Sequence, residues 1–300
     1  MSQENNQLYI EFACDLCNSK ESIEVPHCRE YTNWQVLSIC KKCGLIYAPK
    51  RRSAKAIADA WSNELFGDPK VLTHSSYSAK NPHVKARQTY VADFIDTHVG
   101  LKEKKLIDIG AGEGQFLEIA QGYGSNVFGV EPSVKNCAQL QEKKIPSFNG
   151  TAEEYLESTS SKAGSEKADV VTMMWTLECS QTPQNLLKTA YQTLKENGYV
   201  VIATGSRILV PFKKPLHKFL SSNPVDTHPI NFSFNTLKGM LAKTGFKIIQ
   251  VNPYVENDLL CVLAQKCWQH QEISWQGDDY LKVADFFERW HKDSLYYREC

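Results

Sequence analysis

The chain has 300 residues, 42% of them apolar and 11% aromatic, enough to bury the core of one large α/β domain plus a smaller module and to exclude a disordered chain. Its 34 basic and 34 acidic side chains cancel, so no global field holds it on nucleic acid or on an anionic membrane. No segment approaches the roughly 20 uninterrupted apolar residues of a bilayer span, and the polar start Met1-Ser2-Gln3-Glu4-Asn5-Asn6-Gln7 lacks a signal-peptide profile, which points to the cytoplasm.

Residues 1–52 read as short extended pieces punctuated by cysteines and closed at Ala48-Pro49-Lys50-Arg51-Arg52, where proline and clustered charge mark a boundary. Residues 53–99 read as a helical linker and substrate-capping segment. Ala56, Ile57, Ala60, Trp61 and Leu65 recur at helical spacing after a capping Ser53, Gly67-Asp68-Pro69 stops that helix, and a second runs from about Pro82 to Val99. Beyond Gly100, strands near Lys105–Ile109, Asn126–Val130, Asp169–Met174 and Tyr199–Ala203 alternate with helical stretches, the pattern of a parallel sheet covered on both faces. Phe246–Val251 and Leu259–Gln265 flank a polar turn at Glu256-Asn257-Asp258 and read as an antiparallel edge hairpin, which takes the sheet domain to residue 267. Prolines 211, 215, 224 and 229 make 206–232 an irregular lid insertion, and 268–300 should carry a last helix.

Of the ten cysteines, Cys28, Cys137, Cys179, Cys261, Cys267 and Cys300 are scattered, which suits small packing residues. The other four form two knuckles 22 residues apart, Cys14-Asp15-Leu16-Cys17 and Cys40-Lys41-Lys42-Cys43-Gly44. A two-residue spacer lets both thiolates of a knuckle face one ion, and Gly44 relieves the turn that follows. Four thiolates fill the sphere of Zn²⁺ and leave no open position. Cys14, Cys17, Cys40 and Cys43 are therefore expected to hold a structural zinc in a small N-terminal zinc ribbon too short to fold on its own core. His27 and Cys28, inside the loop, are alternative ligands in less knuckle-like surroundings, and a redox C-x-x-C is the competing reading.

Lys105-Leu106-Ile107-Asp108-Ile109-Gly110-Ala111-Gly112-Glu113-Gly114-Gln115 places a strand, a glycine-rich turn and a helix start in succession. Glycine serves where a ligand approaches the backbone closely. Gln115 stands where a dinucleotide fingerprint has its third glycine, and Asp108, two residues before Gly110, suits a cationic cofactor better than a pyrophosphate. Glu131 follows Gly110 by 21 residues at the tip of the next strand, where an acid accepts both hydroxyls of a ribose. Together these imply an adenosine ligand without phosphates, against an NAD site or a relic of the fold.

From about Gly100 through Lys266 the chain resembles the class I methyltransferases that use S-adenosylmethionine on a Rossmann-like, doubly wound, mostly parallel sheet. Asp108 with Gly110, Gly112 and Gly114 is similar to the first motif of that class, Glu131 to its ribose-binding acid, and Thr151-Ala152-Glu153 to the segment flanking adenine. Ala168 to Glu178, including Trp175, is similar to the fourth motif, and Leu194 to Ile202 to the turn into the fifth strand. With the cysteine knuckles added, the chain resembles the zinc-containing methyltransferases of nucleotide-sugar and surface-polysaccharide biosynthesis. Cys40 to Tyr47, His74-Ser75-Ser76-Tyr77-Ser78 and Val130-Glu131-Pro132-Ser133 keep that group's order. Leu177-Glu178-Cys179 stands where relatives have Leu-Glu-His, and Val225-Asp226-Thr227-His228 keeps only the histidine of their Tyr-x-Glu-His stretch. The resemblance implies methyl transfer to a small, sugar-related acceptor.

Such a reaction needs acceptor, methyl carbon and sulfur in line, and a proton acceptor if a hydroxyl or carbon acid is methylated. The acceptor pocket is expected above the strand ends, where Trp175, Glu178 and the segment from Ser206 to Phe232 converge. His228 is the first candidate base, its unperturbed pKa of about 6.5 suiting neutral pH. Tyr77 and Glu178 follow. Two rival functions stand beside this one. An RNA methyltransferase with a zinc module would use Lys41, Lys42, Lys50, Arg51 and Arg52, although the zero net charge argues against nucleic acid. A non-catalytic cofactor-binding scaffold would dock a partner or a second copy through Phe286, Phe287 and Trp290 of the last helix, whose burial on the same chain is the simpler reading.

Overall fold

The computed structural model describes residues 9–60, 82–160, 167–210, 214–253, 259–267 and 274–296; Tyr77 and the turn at Glu256-Asn257-Asp258 lie outside the described residues. Its strands are β1 (Tyr9–Glu11), β2 (Ser22–Glu24), β3 (Ser38–Cys40), β4 (Ile46–Tyr47), β5 (Lys50–Arg52), β6 (Lys105–Ile109), β7 (Asn126–Glu131), β8 (Ser147–Asn149), β9 (Ala168–Met174), β10 (Leu194–Thr204), β11 (Ile230–Asn231), β12 (Phe246–Val251) and β13 (Leu260–Lys266).

Seven strands form the central sheet in the order β12-β13-β10-β9-β6-β7-β8. Neighbours from β10 across to β8 are parallel, while β13 runs antiparallel to both β10 and β12. The expected doubly wound α/β fold with its antiparallel edge is present. The chain builds outward from β6 to β8, then returns to β9 on the other side of β6. The carboxyl ends of β6 and β9 therefore flank the topological switch point, where such sheets place their ligands. Alternation along each strand splits the core in two. Ile107, Val171, Ile202 and Val262 face the helices Ala152–Ser160, Pro183–Thr193 and Phe234–Lys243, while Leu106, Val170, Val201 and Leu263 face Pro82–Val99 and Gln115–Gly122.

A second sheet, ordered β11-β4-β3-β2, holds Cys40 in β3, with Cys43 in the turn to β4 and Cys14 and Cys17 in the stretch before β2. Its outer strand β11 comes from the segment expected to be a lid: Ile230 and Asn231 pair with Tyr47 and Ile46, and the Ala48 N–H donates to Pro229 O at 2.7 Å. Among the described residues of that segment, Ile208, Leu216, Leu220 and Val225 enter a third core with Leu37, Ile39 and Ile46. The last helix, Tyr280–Tyr296, closes this core with Val283, Phe287 and Trp290, and the Trp290 Nε1–H donates to Lys214 O at 2.9 Å. Phe287 and Trp290, considered above as a docking face, are thus buried within the chain. Among the described residues no helix is long and apolar enough to cross a membrane.

Phe287 is 0% exposed, so truncation leaves a cavity in this third core. Phe287→Ala should lower stability by about 3–5 kcal/mol, read as a shift of the denaturant midpoint; an unchanged midpoint would mean that this core does not support the fold.

Candidate active site and cysteine cluster

The two knuckles bring four thiols together. Cys14, Cys40 and Cys43 are buried and Cys17 half-buried. The Sγ atoms of Cys14 and Cys43 are 3.5 Å apart, those of Cys17 and Cys40 are 3.4 Å apart, and all four lie within 4.8 Å of one another. A tetrahedron with Zn–S bonds of about 2.3 Å has edges of about 3.8 Å, so the donor set fits a tetrahedral ion. The first knuckle closes through the Asn18 N–H on Cys14 O at 2.8 Å and the second through the Gly44 N–H on Cys40 O at 2.9 Å. Gly44 has φ 71°, and a Cβ on it would lie 2.6 Å from Asp278 O, so only glycine fits that turn. Neither alternative ligand joins the cluster. Cys28 Sγ is directed at the carbonyls of Gln35 and Leu37, and the His27 ring stacks on His291 at 3.6 Å.

At the switch point a cavity of about 290 Å³ opens between the β6 and β9 ends. Gly110 has φ 77°, and a Cβ there would lie 2.5 Å from the Thr176 side chain; the bare backbone is what lets the β6 turn meet the β9 end. Gly112 and Gly114 also have positive φ, 54° and 79°. Gly114 caps the helix Gln115–Gly122 and faces Leu140 rather than the cavity, whereas Gly110 and Gly112 line it. Glu131, 5% exposed at the tip of β7, also lines it. Its Oε2 accepts the Gly112 N–H at 2.8 Å, and its Oε1 accepts the Ser133 N–H at 2.9 Å and Asn136 Nδ2–H at 3.4 Å. Burial pushes the Glu131 carboxyl above its usual range, and these donors draw it back.

Ala152 and Glu153, at the start of the helix Ala152–Ser160, line the same cavity, as does Trp175. Trp175 sits just after β9 with φ 57°, a left-handed conformation that costs a bulky residue roughly 1–3 kcal/mol, and its N–H donates to Ala203 O at 2.7 Å. The lining also includes Asn136, Cys179, Gln181 and, from the helix Ala54–Ala60, Ile57 and Ala58. Sequence reasoning did not single out these as site residues. Asn136 could have been found one turn past Glu131, on the helix that Ser133 caps. Gln181 carries no motif, because only the tertiary fold brings it to the wall.

Three expected site residues lie elsewhere. Asp108 is buried beneath the turn, where its Oδ1 accepts the Thr172 hydroxyl at 2.7 Å; it ties β6 to β9 and does not line the cavity. Glu178, 1% exposed, stands behind the wall with Oε1 accepting the Gly205 N–H at 3.2 Å, and burial pushes its carboxyl up to about 7. His228 follows the short helix Pro224–Thr227, is exposed, and is not among the lining residues.

Burial also raises Asp108 from 3.8 to about 8, against the opposing pull of the Thr172 hydroxyl. The folded chain therefore keeps a proton that the unfolded chain releases, and stability falls as pH rises between those values. Asp108→Asn keeps the hydrogen bond and removes the titration. Relative to the variant, the wild type should lose up to about 1.4 kcal/mol per pH unit through this window, measured by denaturant unfolding at a series of pH values; parallel curves would contradict the assignment.

Comparison with known proteins agrees with this geometry. A family model described as a methyltransferase domain matches residues 83–251, more than half of the chain. The ubiquinone biosynthesis O-methyltransferases of Pseudomonas savastanoi pv. phaseolicola (strain 1448A / Race 6) and Pseudomonas aeruginosa (strain UCBPP-PA14) are each 30% identical over 118 residues, 38% of this chain and 50% of theirs. The chain thus spans about half the length of these curated relatives. Among solved structures, the 1,6-didemethyltoxoflavin-N1-methyltransferase of Burkholderia thailandensis, which holds 1,6-didemethyltoxoflavin and S-adenosylhomocysteine, superposes with a TM-score of 0.51 at 13% identity, over 75% of this chain and 96% of that one. That likeness is one of fold. With its domain match, its sheet order and its glycine turn at the switch point, the chain belongs to the methyltransferase domain family.

Proposed function

We propose that the protein transfers a methyl group from S-adenosylmethionine to a small-molecule acceptor, a sugar or nucleotide-sugar precursor, and that Cys14, Cys17, Cys40 and Cys43 hold a structural zinc. The observation that carries the cofactor reading is Glu131. A buried carboxylate at the second strand's tip, beside a glycine turn and in the wall of the cavity, suits the two hydroxyls of a ribose. The names of the curated relatives, ubiquinone biosynthesis O-methyltransferases, support a small-molecule acceptor. The order of the cysteine knuckles and the Val130-Glu131-Pro132-Ser133 run supports the sugar-related class. The zero net charge favours a small molecule over RNA.

When bound, S-adenosylmethionine supplies an already activated methyl group, so the chain's own share of the work is largely positioning. Glu131 would orient the ribose, Ala152 and Glu153 would border the adenine, and Gly110 and Gly112 would admit the ligand close to the backbone. Ile57, Ala58 and Leu186 supply apolar wall that would exclude water around the reacting atoms. Trp175 and Cys179, after β9, line the same cavity and would border the acceptor. His228 stands exposed outside this lining.

Calorimetry with S-adenosylmethionine tests the cofactor assignment. Glu131→Ala should weaken binding roughly 100-fold, and Glu131→Gln, which keeps one acceptor, roughly tenfold. Wild-type affinity in both variants would remove Glu131 from the site.

A further inference from the structure

One side chain joins the first cysteine knuckle to the cavity wall. Arg51 of β5 is 0% exposed. Its Nη2 donates to Asp15 Oδ1 at 2.5 Å, its Nη1 to Ala48 O at 3.0 Å and its Nε to Gln181 O at 3.1 Å, while the guanidinium lies 4.1 Å from the centre of the Phe12 ring. A planar guanidinium holds its acceptors in a fixed fork that an ammonium does not reproduce. Asp15 lies between Cys14 and Cys17. The same knuckle is gripped by the helices that follow the wall: Gln184 Nε2–H donates to Asp15 O and, at 3.4 Å, to Leu16 O, and the Lys243 ammonium donates to Leu16 O at 2.7 Å. At the other end, Gln181 is 1% exposed and lines the cavity with Thr182. Its Nε2–H donates to Val225 O at 3.4 Å, and its Oε1 has no hydrogen-bond partner among the described residues.

We propose that Arg51 is a positioning residue through which zinc occupancy of the four-cysteine cluster sets the cavity wall at Gln181 and Thr182, so that a filled cluster tightens S-adenosylmethionine binding. This rests on the cofactor reading above. An ion on Cys14 and Cys17 fixes the turn that presents Asp15 Oδ1, that carboxylate fixes the guanidinium, and the guanidinium fixes the Gln181 carbonyl. Binding linkage is reciprocal, so the cofactor should tighten zinc by the same factor.

The test is calorimetry of the full chain with S-adenosylmethionine, zinc-loaded and chelator-depleted, with zinc content measured by atomic emission. The loaded wild type should bind about tenfold more tightly than the depleted one. In the paired variant Asp15→Asn with Arg51→Gln, which strands no buried charge, that ratio should fall to about one while the loaded form keeps its zinc. Since depletion can loosen the cysteine-bearing sheet, Arg51→Lys in the loaded state is the second arm. It keeps the charge beside Asp15 but loses the fork, and affinity should drop about fivefold with zinc content unchanged. Equal affinity of loaded and depleted wild type, a full ratio in the paired variant, or unaltered binding by Arg51→Lys would each overturn the proposal. A loaded wild type that binds no cofactor would instead overturn the cofactor reading itself.

Discussion

The Gly112 N–H donates to Glu131 Oε2 at 2.8 Å, and that bond holds together two of the segments that line the cavity. A carboxylate buried at a strand tip is costly unless its lone pairs are filled. Here the donors are backbone and side-chain groups of the two segments that must converge: the glycine turn after β6 and the capped helix start after β7. Satisfying the charge therefore shapes the pocket. The same donors are set so that Glu131 still borders the open space, where hydroxyls can join them in donating to it.

Around this centre the described residues build three hydrophobic cores. The cysteine thiols, Leu16, Leu45 and Tyr47 share a core with one face of the central sheet, while Ile39 and Ile46 share another with Ile208, Leu216, Leu220, Val225 and the last helix. Strand β11 stitches the two parts together. The four-cysteine segment is joined to the cavity wall through Arg51, which bonds both Asp15 and the Gln181 carbonyl.

Much of this was legible from residue order. The bounds of β6, β12 and the helix Pro82–Val99 follow from periodicity and from glycine and proline punctuation, because long amphipathic or apolar runs have few alternative folds. The cysteine cluster and the glycine turn were legible for the same reason: their chemistry needs fixed local spacing. What escaped was set by tertiary contact. Strand β8 is three residues long, too short to display alternation, and β11 is two residues in a proline-rich stretch that gains its conformation only by pairing with β4. Asp108 suits a cationic cofactor better than a pyrophosphate, but sequence spacing does not tell which neighbour a buried carboxyl bonds, here Thr172. His228 suits a base by its chemistry, but the fold leaves it exposed.

Methyl transfer to a small molecule is the proposed activity. Incubating the zinc-loaded protein with methyl-labelled S-adenosylmethionine and a cell extract, then separating the products by mass, tests it most directly. Label appearing in a low-mass, sugar-containing metabolite is the expected result; label confined to RNA, or cofactor that binds but never yields a labelled product, would contradict it.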